Sequence, residues 1–172
     1  MKISFKQVFV ALLSMIITLG VLFAGQQVYR SAMVESPLVS NLGAIAGVRQ
    51  ARIQGNTVTV SMQSHANLMN VYQTVELKAT EFLGHAPQKV VIESHSDSVL
   101  EQLANNVAFV VAQGEATGQY VAMKNTIATM ARSQHAAVNM QMDSHHLYLT
   151  FHHHTAVLYD VVSIALGGSS HA

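Results

Sequence analysis

The sequence predicts an α+β fold in which an N-terminal transmembrane helix precedes a compact ectodomain of two β-hairpin-plus-helix halves, αββαβ then αββα. Three observations carry this. An uncharged apolar run lies near the start of the chain. Two stretches alternate apolar and polar residues on either side of a turn signal. Apolar residues then recur at helical spacing in the segments between and after those stretches. The resulting division is a cytoplasmic stub, anchor and juxtamembrane segment over 1–34, an αββαβ half over 35–95, and an αββα half over 96–172 packed into the same ectodomain.

Composition narrows the function classes. The 172 residues are 50% hydrophobic and only 10% charged, against roughly 25% charged in an ordinary soluble domain. So much apolar content excludes a disordered chain. The count of zero Cys excludes a disulfide scaffold, thiolate catalysis and Cys-based zinc sites. Lys+Arg and Asp+Glu both total 9, which argues against nucleic acid as a partner, since DNA binders carry a basic excess.

The run VFVALLSMIITLGVLFAG opens at Val8 and closes at Gly25, with Ser14 and Thr18 its only polar residues. At about 1.5 Å rise per residue its 18 positions approach the thickness of a bilayer's hydrocarbon core. Lys2 and Lys6 precede it, and Arg30 is the one basic residue in the next twenty. This asymmetry predicts a single-pass signal anchor with a cytoplasmic N-terminus and an extracytoplasmic C-terminal domain. A cleaved signal peptide shares the basic start. Cleavage after Ala24 or Gly25, however, would leave bulky Leu22 or Phe23 at the −3 position. The expected partners are therefore the lipid bilayer, through residues 8–25, and a protein partner or a second copy.

Beyond residue 25 the chain carries seven basic and nine acidic residues, a net of −2. Ser36-Pro37 reads as a helix start, with Leu38, Leu42 and Ile45 on one face. VRQARIQ and TVTVSMQ flank Gly55-Asn56, a two-residue hairpin signal, and Val58, Val60 and Met62 alternate with Thr and Ser. After His65 the period becomes 3.6, giving the stripe Leu68, Val71, Tyr72, Val75, Ala79, Phe82 and Leu83. Val90-Val91-Ile92 is a short strand. A helix capped near Asp97 or Ser98 buries Leu100, Leu103, Val107 and Val111, and Val121, Met123, Ile127 and Met130 continue the pattern. The stretch from Gly114 to Gly118 is read as a smooth patch within one long, kinked helix.

Val138, Met140 and Met142, then Asp143-Ser144, then Leu147, Leu149 and Phe151 spell a second hairpin. The closing AVLYDVVSIAL is β-branched, yet its place after a hairpin suggests a helix. A shift of 89 positions lays Val58, Val60 and Met62 over Leu147, Leu149 and Phe151, and His65, Leu68 and Tyr72 over His154, Val157 and Val161. Duplication of an α-β-β-α unit would explain this, and on that basis the last segment is expected to be helical.

The piece GVRQARIQGNTVTVSMQ followed by an amphipathic helix, set after an anchor, resembles small modules of bacterial envelopes. These are the ring-building motifs of secretion and sporulation basal bodies, the BON domain and, in pattern, the alkaline-shock protein family. The resemblance covers residues 36–93, and 97–166 if the duplication holds. It is a likeness of element order without a signature motif. It implies a non-catalytic role in oligomeric assembly or binding at a membrane.

Histidine is the conspicuous chemical feature. His145, His146, His152, His153 and His154 fall within ten residues of one another. His145, His146, His152 and His154 are the candidate metal ligands, since neutral imidazole suits Zn, Ni or Cu. On a continuing strand His152 and His154 would share one side, with His153 on the other. If all ten His were protonated, the net charge beyond residue 25 would move from −2 to +8, which offers a pH response. No H-E-x-x-H, G-x-S-x-G or phosphate-binding glycine loop is present. The expectation is a non-enzymatic, cofactor-free assembly or partner-binding domain, the alternative being a His-rich metal-binding or pH-responsive sensor.

Overall fold

A computed structural model describes residues 14–15, 18–23 and 36–164. Most of the expected anchor, residues 8–25, lies outside these. Among the described residues no helix is long and apolar enough to cross a membrane. From residue 36 the chain is α+β, with two three-stranded sheets.

The first half follows the expected order: α1 (Ser36–Gly43), β1 (Val48–Gln54), β2 (Thr57–Met62), α2 (Leu68–Leu83) and β3 (Lys89–Glu93). Gln54 pairs with Thr57, so Gly55-Asn56 forms the tight turn, and Gly55 adopts φ +62 there, a conformation glycine takes without penalty. β2 alternates as predicted, burying Val58, Val60 and Met62. Asn67 Oδ1 accepts the Asn70 N–H at 3.0 Å and caps α2. This helix buries Leu68, Val71, Val75 and Ala79 against the sheet, while Phe82 of the predicted stripe is exposed. α2 carries the chain back so that β3 lies parallel to β2.

The second half departs from the expected αββα. It runs α3 (Ser98–Thr117), α4 (Tyr120–Ser133), β4 (Ala137–Met142), β5 (His146–His153) and β6 (Ala156–Ser163). Residues 98–133 are not one long helix. Gly118 ends α3 in the left-handed region at φ +68, and α4 folds back against α3. Gly114 is the smooth patch that allows it, since a Cβ there would meet Met123 Cβ at 2.9 Å. One glycine thus breaks the helix and the other lets the two helices close. Val121, expected inside, is exposed, and Ala131 takes the inward place.

The last segment is a strand, not a helix, because its β-branched content matches an available neighbour: all eight residues pair antiparallel with β5. α2 therefore has β6 as its counterpart under the 89-residue shift, and the two halves are not copies of one α-β-β-α unit.

The halves share a boundary. Leu147, Leu149 and Phe151 of β5 point into a core with α3 and α4. On the opposite face Tyr148, with Tyr159 and Val161 of β6, enters the core of the first half. Just past β3, His95 exchanges both backbone hydrogen bonds with Val157 at 2.9 Å. Ser94 Oγ accepts from the Tyr159 N–H at 3.0 Å. This bridge joins the sheets at the Val157–Tyr159 part of β6.

Candidate functional site

The densest polar contacts gather where the β4–β5 turn meets α2. Asp143 closes β4, and its N–H donates to the His146 carbonyl at 3.0 Å. Asp143 Oδ1 accepts the backbone N–H groups of His145 and His146, each at 2.8 Å, the Asx arrangement that fixes a tight turn. Asp143 Oδ2 accepts from Tyr148 Oη and from Gln73 Nε2, each at 2.7 Å. An open groove of about 670 Å³ borders this carboxylate, with Glu76, Ser144, His145 and Ser163 among its walls.

Charge follows geometry. Burial pushes the Asp143 carboxyl upward, but the four donors overcome it and hold it well below the usual carboxylate range. Burial and the neighbouring carboxylate push the Tyr148 phenol far above its ordinary value. Near neutral pH one is a fixed anion and the other a fixed donor. Asp143 therefore serves as a positioning residue, tying the turn, α2 and β5 together.

A second polar contact lies at the far end of β5. Asp97 Oδ1 accepts the Leu100 N–H at 2.9 Å as the N-cap of α3, and its Oδ2 lies 2.7 Å from His153 Nδ1. The His153 contact and the backbone bond hold the Asp97 carboxyl below its usual range.

The candidate ligands do not converge. His145 lies in the β4–β5 turn and His146 opens β5, whereas His152 and His154 sit at the β5–β6 end, roughly 20 Å away along the strand. His145 Nδ1 is 2.6 Å from Ser144 Oγ, and the His146 ring tilts against Tyr72 with centroids 5.3 Å apart. His154 does not continue the strand beside His152. It occupies the two-residue turn between His153 and Ala156, at φ +52, with its ring 4.3 Å from that of His153. Among the described residues no group of three or more His, Cys, Asp or Glu side chains is placed to hold a metal ion.

The third feature is apolar. Phe109 on α3 is 79% exposed and Val121 on α4 is 77% exposed. Val121 borders a groove of about 290 Å³ between the start of α4 and β4, where Tyr120, Lys124, Met140 and Met142 also stand. Tyr120 Oη is buried and finds no hydrogen-bond partner among the described residues. In the sequence this face is hidden, because Val121 fits an inward stripe at helical spacing and Met142 one at strand spacing. Comparison with family models, curated proteins and solved structures finds no match to this chain.

Proposed function

We propose that residues 36–164 form a non-catalytic assembly module, held on the extracytoplasmic side of a membrane by a single N-terminal anchor over residues 8–25. The observation that carries this reading is the pair of solvent-facing apolar side chains, Phe109 and Val121, on the helices of the second half. Large apolar groups left on a surface mark contact sites when they cluster with further apolar surface, and Val121 adjoins the groove beside Met140 and Met142. The polar centre at Asp143 fits the same role, because its carboxylate is committed to four donors within the fold. The anchor rests on the uncharged run and the two lysines before it.

A reporter fused after Ala172 tests the orientation: activity outside the cytoplasm with Met1 retained is expected, and a mature chain beginning near Gln26 would replace the anchor with secretion. Because the chain has no Cys, Val121→Cys, beside the groove at Met140 and Met142, labelled with a photocrosslinker in membranes tests the contact. Adducts above the monomer mass are expected, and a purely monomeric band would remove the assembly reading. The alternative, a pH-responsive domain, draws on His153 Nδ1 facing Asp97 Oδ2 at 2.7 Å, a contact between β5 and the start of α3.

A further inference from the structure

The sheet edges of this protein are not treated alike. β1, at one end, carries Arg49 and Arg52 and an irregular register between Val48 and Gln50, both devices that discourage strand addition. The outer side of β6 is met at Val157 by His95 and at Tyr159 by Ser94. β4 is the outermost strand of the second sheet, and among the described residues nothing pairs with its outer side. Its sequence, AVNMQM, contains neither charge nor proline.

The ladder fixes which groups that edge offers. The Asp143 N–H to His146 carbonyl bond identifies a hydrogen-bonding pair, and such pairs alternate along an antiparallel ladder. In the observed register the next ones are Gln141 with Tyr148, Asn139 with Thr150 and Ala137 with His152. The N–H and C=O groups of Val138, Met140 and Met142 therefore point away from β5. The side chains of these three residues lie on the α3–α4 face, because their partners Phe151, Leu149 and Leu147 belong to that core.

We propose, resting on the assembly reading above, that the partner is a second copy of this chain, joined edge to edge through β4. Antiparallel pairing about a two-fold axis at Met140 sets Met140 opposite the partner's Met140 and Val138 opposite the partner's Met142. Every residue whose backbone is free then falls at a hydrogen-bonding position, so each such pair exchanges both bonds. The same register sets apolar against apolar on the helix face and Asn139 against the partner's Gln141, amide against amide, on the other. No like charges meet. The strip formed by Val121 and Met142, the latter 41% exposed, lies beside this edge on the face the partner would extend. A closed two-fold contact of this kind is isologous and ends the assembly at a dimer.

The test uses the full chain in its membrane, where the absence of native Cys makes single substitutions clean. Met140→Cys under mild oxidation is expected to give a reducible dimer as the major species, since opposed Cα atoms at a hydrogen-bonding pair lie about 5.5 Å apart, within disulfide reach. Asn139→Cys is expected to stay monomeric, its two copies being diagonal at roughly 8 Å. Co-expressed Asn139→Cys and Gln141→Cys chains, both on the opposite face from the core, are expected to cross-link to each other. This second arm stands even if Met140→Cys fails to fold. If the unmodified chain assembles but neither the Met140 nor the 139–141 disulfide forms, the β4 assignment falls and the assembly reading remains. If the unmodified chain is monomeric by single-molecule photobleaching, both fall.

Discussion

The Tyr148 hydroxyl donates to Asp143 Oδ2 at 2.7 Å, so a side chain that belongs to the core of the first half is fastened to the turn that opens β5. Tyr148 is 1% exposed and belongs to the same core as Val60 and Val75, although its backbone lies in the second sheet. Gln73 of α2 donates to the same carboxylate oxygen. One anion thus links three elements whose sequence positions are up to 75 residues apart.

Removing that phenol isolates the link. Tyr148→Phe keeps the packed ring and deletes one donor to an ionised acceptor, a bond worth about 1.5–3 kcal/mol. Chemical unfolding of the detergent-solubilised chain, followed by circular dichroism, should show a loss of that order. Tyr148→Ala should lose considerably more, because a ring-sized cavity opens in the first core. Equal stability of Tyr148→Phe and the native chain would mean that the hydroxyl is indifferent to Asp143.

The same carboxylate sets an acid response. Its folded pKa is depressed below the unfolded value of about 3.9, because hydrogen bonds outweigh burial. A depressed pKa contributes stability that is fully present above the unfolded value and is lost as pH falls through the folded one. Asp143→Asn should therefore be less stable than the native chain at neutral pH, and the gap should narrow steadily below about pH 4. Melting midpoints at pH 7, 5 and 3 decide it. A gap of constant size would show that ionisation plays no part.

Asp160 should behave in the opposite sense. On β6 it pairs with Leu149, which places it on the face of the sheet that meets α3 and α4. Burial raises its carboxyl above the ordinary range, only partly offset by a backbone bond from Val161. A raised folded pKa means that the ionised form costs stability above that pKa, and the cost disappears once the group is protonated. Asp160→Asn should melt higher than the native chain at pH 7 and coincide with it near pH 3. A lower midpoint at pH 7 would reveal a partner that needs the charge.

The legible parts of this fold are those where one face of an element is buried and the other is wet. β2 alternates because only Val58, Val60 and Met62 turn inward, and α2 shows its stripe for the same reason. β6 was misread because both of its faces are half-covered: Leu158 and Val162 meet the helices while Tyr159 and Val161 meet the first half. Burial on both sides erases the period of two. Tyr148, between Leu147 and Leu149, is buried because the opposite face of β5 meets the first half. Asp143 was legible as a turn residue, but its donors Gln73 and Tyr148 come from elements that only the tertiary fold brings together. The histidine cluster was close in sequence and is split in space, because a strand of eight residues separates its two ends.

Gly114 and Gly118 allow the helix break to be tested by the sign of one substitution. In a single continuous helix, Gly114→Ala would stabilise by about 0.5–1 kcal/mol, since alanine loses less backbone freedom than glycine on entering a helix. In the observed fold, α4 returns against α3, and a Cβ at Gly114 would lie 2.6 Å from Met123 Sδ and 2.9 Å from Met123 Cβ. The thioether end can swing aside, but Cβ moves only with the α4 backbone. Overpacking of this kind costs about 1–3 kcal/mol, more than the propensity gain. Gly114→Ala should therefore destabilise the chain. Adding Met123→Ala should cost less in that background than alone, because the first change already displaces the methionine. A stabilised Gly114→Ala variant would mean that α3 and α4 do not close on each other.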